Sequence, residues 1–112
     1  GGNMASEVLK VALKPTCSTT ETKLIDGASG HTYTVLSITI CETAGAAETF
    51  DLYVDDDDGG TDHYIYKTQA LGANETFEHT SRIVLEGTDM LGFITQSAAD
   101  VDVVVSYLEQ TL

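Results

Sequence analysis

The residues best suited to chemistry in this 112-residue chain are the aspartates of the segment Asp55-Asp56-Asp57-Asp58. Calcium takes several carboxylate oxygens at about 2.3 to 2.6 Å, so this segment could hold the ion. The calcium candidates are Asp55, Asp57, Asp58 and Asp62. The spacing departs from the helix-loop-helix calcium motif, because Gly59 stands where an acidic residue belongs and Tyr66 where the bidentate glutamate belongs. A solvated hairpin tip is the ordinary interpretation of the same charges.

A serine, histidine and aspartate set for nucleophilic catalysis could be assembled from Ser29, His63 and Asp89, which are far apart in the sequence. None of them occupies the strand-turn-helix elbow that hydrolases use, and the sequence has no glycine-rich phosphate loop. A hydrolase with a hidden site is the weakest hypothesis. We therefore predict no catalytic residue, no cofactor beyond the calcium alternative, and no enzymatic activity.

Metal binding through histidine or cysteine is also weakly indicated. His31, His63 and His79 lack the short spacing of zinc ligands. Cys17 and Cys41 lack the clustered spacing of a zinc site or a redox pair. Two free structural thiols are favoured, and a disulfide between them stays open.

The balance of charge limits the kinds of partner. The chain has 5 Lys and Arg against 18 Asp and Glu, a net charge of −13. This charge repels nucleic acid backbones and anionic membrane surfaces over about a Debye length. No apolar run reaches the ~18 residues needed to span a bilayer. We expect neither nucleic acid nor membrane as a partner.

The patterns that must position these residues have the alternating period of strands. Residues 8–14 place an apolar row on one face and two lysines on the other, and Pro15 ends the strand. The apolar row is Leu9, Val11 and Leu13, and the lysines are Lys10 and Lys14. Those lysines are candidates for contacting a more acidic partner, although an ordinary edge strand explains them equally.

Residues 31–41 read as the central strand, and residues 48–54 as its hairpin partner. Further strands are predicted over residues 22–25, 63–67, 76–80, 83–85, 90–96 and 101–108. The predicted core is Leu36, Ile38, Ile40, Phe50, Leu52, Val54, Leu91, Phe93, Val103 and Val105. About eight strands separated by Gly, Asn and Asp turns predict a single all-β domain, an antiparallel β-sandwich of jelly-roll or Greek-key type.

Three tyrosines of this sandwich are further interaction candidates. Tyr64 and Tyr66 are predicted to share a face, where Tyr53 could join them beside the acidic loop. Exposed rings could stack on sugars, which keeps a carbohydrate- or receptor-binding module, dependent on calcium, as the alternative function. Half-burial in an outer or subunit-facing layer is the ordinary interpretation.

Three stretches that together span about residues 34–110 carry a resemblance. They are TVLSITICETAGAAETFDLYV, YIYKTQALGANETFEHT and IVLEGTDMLGFITQSAADVDVVVSYLEQ. Their order of strand, turn, hairpin and Gly-Thr-Asp step resembles small structural proteins of tailed bacteriophages. The resemblance implies a virion protein made in the bacterial host cytoplasm, either a head decoration (cement) protein or a tail adaptor. It also implies a homotrimer bound to a major capsid or tail protein.

We expect residues 4–112 to form the one sandwich domain. Gly1-Gly2-Asn3 before Met4 resembles a vector-derived remnant, so Met4 is taken as the native start.

Overall fold

The chain forms two antiparallel sheets, as the computed structural model describes for residues 6–111. The nine strands of this part of the chain are β1 (Ser6–Cys17), β2 (Thr22–Asp26), β3 (His31–Glu42), β4 (Glu48–Asp55), β5 (Asp62–Leu71), β6 (Thr76–His79), β7 (Ile83–Glu86), β8 (Met90–Thr95) and β9 (Val101–Thr111). One sheet has the order β1-β9-β3-β6, with β7 also paired to β3, and the other has the order β2-β8-β4-β5. The predicted all-β sandwich is confirmed. Within residues 6–111, no helix has the length and apolar character that crossing a membrane would require.

The core lies between the sheets, where the alternating apolar residues of both meet. Phe50 is its centre, because its ring stacks on Phe93 at 5.3 Å between centroids and meets the edge of Phe77 at 5.4 Å. Eight of the ten predicted core residues are at most 1 % exposed. They are Ile38, Ile40, Phe50, Leu52, Leu91, Phe93, Val103 and Val105. Val54 is only partly buried but packs against this cluster.

The prediction that Leu36 lies in the core is wrong. The pairing of β3 with β9 shifts between Val35 and Ser37, so Leu36 is the extra residue of a β-bulge. The bulge reverses the alternation, and Tyr33 and Val35 therefore point inward, although unbroken alternation with Ile38 and Ile40 would turn them outward. Leu36 is only half-buried.

The predicted hairpin between β3 and β4 is also wrong, because these strands lie in different sheets. One flank of β3 is occupied by β9 and the other by β6 and β7. Both edges of β4 are also paired, one with β5 and the other with β8. Residues 43–47 therefore cross from one sheet to the other.

The first strand forms, but it continues past Pro15 to Cys17, so the prediction that Pro15 ends it is wrong, and its apolar face points to solvent. β1 pairs with β9 over Ser6 to Lys14 without interruption. Leu9, Val11 and Leu13 are 73 %, 55 % and 65 % exposed. The cause is their register, because they lie opposite alternate residues of β9 on the face turned away from the second sheet.

Both cysteines are free thiols. Cys17 is buried, and its thiol donates to the carbonyl oxygen of Lys14 at 3.4 Å. Burial raises the pKa of the Cys17 thiol above its ordinary value, which keeps the thiol protonated and unreactive. Cys41 is half-buried on β3.

Candidate functional site

The acidic segment is the tip of the β4–β5 hairpin, where a single 3₁₀ turn, Asp56–Asp58, is closed by two glycines. Asp56 organises this tip. Its Oδ1 accepts a bond from the amide of Thr61 at 2.8 Å and lies 3.1 Å from Nε2 of His63. The amide of Thr61 and the imidazole of His63 hold the pKa of Asp56 below its ordinary value.

The calcium candidates of this tip do not converge on one point. Asp55 accepts a bond from the amide of Gly59 at 3.1 Å, and Asp57 accepts one from the hydroxyl of Thr88 at 2.9 Å. Asp58 pairs with Lys23 at 2.8 Å. Across residues 6–111, no three His, Cys, Asp or Glu side chains are grouped so as to hold a metal ion. Calcium binding by Asp55, Asp57, Asp58 and Asp62 stays a prediction.

The histidines and the proposed catalytic set lie in separate environments. His31 pairs with Glu109 at 2.7 Å, whereas Nδ1 of His79 lies 2.8 Å from the Tyr66 hydroxyl inside the sandwich. The carboxylate of Asp89 accepts bonds from the amides of Glu86 and Asp57. Among the hydrogen bonds of residues 6–111, none joins Asp89 to His63 or to Ser29.

The tyrosines do not share a face. The pairing of β4 with β5 shifts between Leu52 and Tyr53, which places Ile65 in a bulge. Tyr66 consequently points inward against Phe77, at 5.0 Å between ring centroids. Tyr64 stays on the outer face of the sheet, where its ring centroid lies 5.5 Å from that of Tyr53. The predicted three-ring platform is therefore wrong.

Only Tyr64 of these rings is well exposed, at 48 %. The ammonium of Lys67 covers one of its faces, 4.4 Å from the ring centroid, and also pairs with Asp51 at 3.2 Å. One ring with one covered face is a poor platform for stacking on a sugar. The carbohydrate-binding alternative stays a prediction.

Tyr53 is almost fully buried on the outer face of the four-stranded sheet, because it lies over Gly92 of the neighbouring strand. A Cβ on Gly92 would lie 2.4 Å from Cε2 of the Tyr53 ring. The Tyr53 hydroxyl donates to Oε2 of Glu21 at 2.5 Å. Burial and the Glu21 carboxylate raise the pKa of Tyr53 above its ordinary value, so the hydroxyl stays a donor.

A group of buried carboxylates at one end of the sandwich was not anticipated from the sequence. Glu42 is 1 % exposed, and its carboxylate accepts bonds from four backbone amides at 2.8 to 3.1 Å. These amides belong to Asn74, Ala44, Ala46 and Gly45, and they lower the pKa of Glu42 to about 2. Glu42 thus holds the crossing segment 43–47 against the β5–β6 loop as an ionised side chain.

Asp100 lies beside Glu42 and Glu48 in this group and is 6 % exposed. Burial and the neighbouring Glu48 and Glu42 carboxylates raise the pKa of Asp100 to about 6. Its Oδ1 has no bonding partner if all three carboxyl groups are ionised. A proton on Asp100, donated to Glu48, satisfies this buried atom. A glutamate at a strand end followed by small residues, as in Glu42-Thr43-Ala44-Gly45, is the signal that could have indicated the group.

The remaining candidate is the outer surface of β1, which we call the β1 strip, formed by Leu9, Val11 and Leu13. Lys10, on the other face, pairs with Glu109 at 3.0 Å, and Lys14 is half-buried. Of the interaction candidates, Lys10 and Lys14 thus lie on β1, whereas the three tyrosines lie on β4 and β5. The β1 strip is an apolar surface on an acidic protein, and such surfaces mark contacts with other proteins.

Comparison with known proteins gives similarity in fold alone. No protein-family model and no curated protein matches the chain. A solved structure of Bacillus endospore appendages, described as disulfide-linked pili, is similar with a TM-score of 0.53 at 13 % identity, over 97 % of this chain and 88 % of that one. The capsid structure of Helicobacter pylori bacteriophage KHP30 gives 0.45 at 16 % identity, over 96 % and 93 %.

A third similar structure contains the CBM22-1 and GH10 modules of Clostridium thermocellum xylanase 10B, in complex with xylohexaose. Its TM-score is 0.45 at 13 % identity, over 96 % of this chain but only 26 % of that one. The structural neighbours thus include a pilus-like appendage protein, a phage capsid protein and a xylanase. At these identities the appendage protein shows a shared fold, and the two structures at 0.45 support no argument about function.

Proposed function

We propose that this chain is a non-enzymatic structural protein of a bacteriophage particle, most simply a head decoration (cement) protein that stabilises the capsid. The observation that carries the proposal is the β1 strip. Three large apolar side chains on one edge strand are more than half exposed. Natural sandwiches usually protect such an edge with charges, bulges or a covering loop, because it offers an apolar surface and unpaired backbone groups to another protein.

The charge of the chain supports the same role. A net charge of −13 disfavours contact over most of the surface, whereas residues 8–14 contain no carboxylate. Contact with other proteins is therefore directed to β1. The resemblance to tailed-phage proteins supplies the rest of the proposal, namely the virion as location, a major capsid or tail protein as partner, and a homotrimer as the assembled state.

The experiment is the absolute mass in solution, by light scattering on a sizing column. We expect an oligomer, with the same mass in calcium and in chelator. Leu13→Lys should reduce that mass to a monomer. Val84→Lys is the matched control, because Val84 is also 55 % exposed and belongs to the same sheet, but it lies on β7. A wild-type chain that is monomeric at all concentrations would contradict the proposal. An equal loss of mass in Leu13→Lys and Val84→Lys would contradict it too.

A further inference from the structure

We infer that β1 pairs with β1 of a second copy, antiparallel and about a two-fold axis at Val11, so that two five-stranded sheets join into one. This inference rests on the proposed function, names a second copy of this chain as the partner, and replaces the homotrimer with a two-fold dimer. An antiparallel edge-to-edge pair keeps the outer faces on the same side. The β1 strips of the two copies would then form one apolar surface.

The edge of β1 is open to such a partner. Among residues 6–111, β1 pairs on one side only, with β9, and it lies at the end of the sheet. The pairing runs from Ser6 to Lys14 before the first irregularity. Alternate residues of this stretch direct their backbone N–H and C=O groups away from β9. A second strand can therefore add hydrogen bonds along the whole stretch.

The sequence of β1 is self-complementary about Val11. Antiparallel pairing centred there places Leu9 opposite the partner's Leu13, and Val11 opposite the partner's Val11. On the other face, Lys10 lies opposite the partner's Ala12. All three residues of the β1 strip thus meet apolar partners, and such cross-strand pairs stabilise a sheet.

The neighbouring registers are disfavoured by charge. Centring the pair on Lys10 places two Lys10 side chains opposite each other, and centring it on Ala12 places Lys10 opposite the partner's Lys14. Like charges directly opposite destabilise a strand pair. In the Val11 register the lysines of the two copies are diagonal neighbours and never directly opposite, and the charge of Lys10 is balanced by Glu109 at 3.0 Å.

The charge of residues 8–14 permits a second copy as the partner. The net charge of −13 makes two copies repel wherever carboxylates face each other. Residues 8–14 contain no carboxylate, so this stretch lets two copies approach with the least repulsion. The two-fold pattern of Leu9, Val11 and Leu13 is what a strand needs to pair with itself.

The test is symmetric cross-linking through an introduced cysteine. In a two-fold pair centred on Val11, Val11→Cys brings two Cα atoms to about 4.5 to 5.5 Å. A disulfide spans about 4.4 to 6.8 Å. Leu9→Cys is the matched control, because the two Leu9 positions would lie about 14 Å apart along the strands. Both sites are exposed, so neither variant should disturb folding. The wild type, oxidised alongside, reports the background from Cys17 and Cys41.

We expect mild oxidation to convert Val11→Cys to a disulfide-linked dimer at least tenfold faster than Leu9→Cys, as read from non-reducing gels and intact mass. We also expect Val11→Lys to weaken association at least tenfold in sedimentation. An oligomer that forms while Val11→Cys cross-links no faster than Leu9→Cys would overturn the inference and leave the proposed function standing. A trimer that Leu13→Lys dissociates would also overturn the inference and leave the proposed function standing, because a two-fold pair cannot close a ring of three copies. A monomer throughout would overturn both.

Discussion

The contact between Gly92 and Tyr53 allows the sharpest prediction about stability. Gly92 lies in the middle of β8, and its missing side chain leaves the space that the Tyr53 ring fills. Replacing Gly92 with Ala would put a Cβ 2.4 Å from Cε2 and 2.6 Å from Cζ of that ring. These distances are too short, so the ring must move, and its bond to Glu21 must lengthen or break.

The expected destabilisation by Gly92→Ala is about 2 to 4 kcal/mol. Overpacking of this kind costs about 1 to 3 kcal/mol. Weakening a hydrogen bond to a charged group adds part of its ~1.5 to 3 kcal/mol. Urea unfolding followed by circular dichroism measures the change. A slope of about 1 to 2 kcal/mol per molar, usual for small proteins, gives a midpoint lower by about 1 to 4 M.

A double-mutant cycle identifies the cause. In a Tyr53→Ala background the ring is absent, so Gly92→Ala should be neutral or stabilise by about 0.5 to 1 kcal/mol, as alanine does relative to glycine in a strand. In a Tyr53→Phe background the ring remains, so most of the penalty should remain. A Gly92→Ala variant within about 0.5 kcal/mol of wild type would refute the reasoning, as would a penalty that persists in the Tyr53→Ala background.

Three further predictions concern the core, the carboxylates and the acidic loop. Val35→Ala should lower the free energy of unfolding, measured in urea, by about 2 kcal/mol, because Val35 is fully buried. Leu36→Ala should lower it by less than half of that, because Leu36 is only half-buried at the bulge, and the reverse order would contradict the bulge. The pKa of Asp100 is raised to about 6, so its protonated carboxyl stabilises the folded state. This stabilisation is complete below about pH 4 and is lost as pH rises through about 6. Asp100→Asn should therefore flatten the fall in melting temperature between pH 4 and 7, and an unchanged profile would argue against proton sharing with Glu48. If Asp57 and its neighbours bind calcium, millimolar calcium should raise the melting temperature, and Asp57→Asn should abolish that rise; no rise would dismiss the calcium hypothesis.

The extent to which the sequence predicted this fold depended on whether a strand kept its alternation. The alternation in β8 and β9 is regular, and Leu91, Phe93, Val103 and Val105 were therefore placed correctly in the core. In β3 the bulge at Leu36 breaks the period. A bulge changes which face a side chain takes without changing residue type, so period-2 reasoning cannot detect it. The bulge at Ile65 caused the same error for Tyr64 and Tyr66.

The errors in pairing have a different origin. Residues near in sequence were expected to pair, so β3 and β4 were joined as a hairpin. In the structure the neighbours of β3 are β9, β6 and β7, which come much later in the chain. Local patterns carry no information about such distant partners. Likewise, the alternation of β1 predicted its two faces correctly, but which face meets the second sheet depends on the whole sandwich.

The pairing of β1 with β9 also determines when the protein can fold. Ser6 lies opposite Thr111, and β9 lies between β1 and β3 in the sheet. The five-stranded sheet therefore cannot close on the ribosome until β9 has been synthesised. Such distant pairings carry a large loss of chain entropy before any contact forms, which makes folding slow, on the order of milliseconds to seconds. Until then both edges of β1 are unpaired, so a nascent chain that meets a second one during this delay can exchange strands with it.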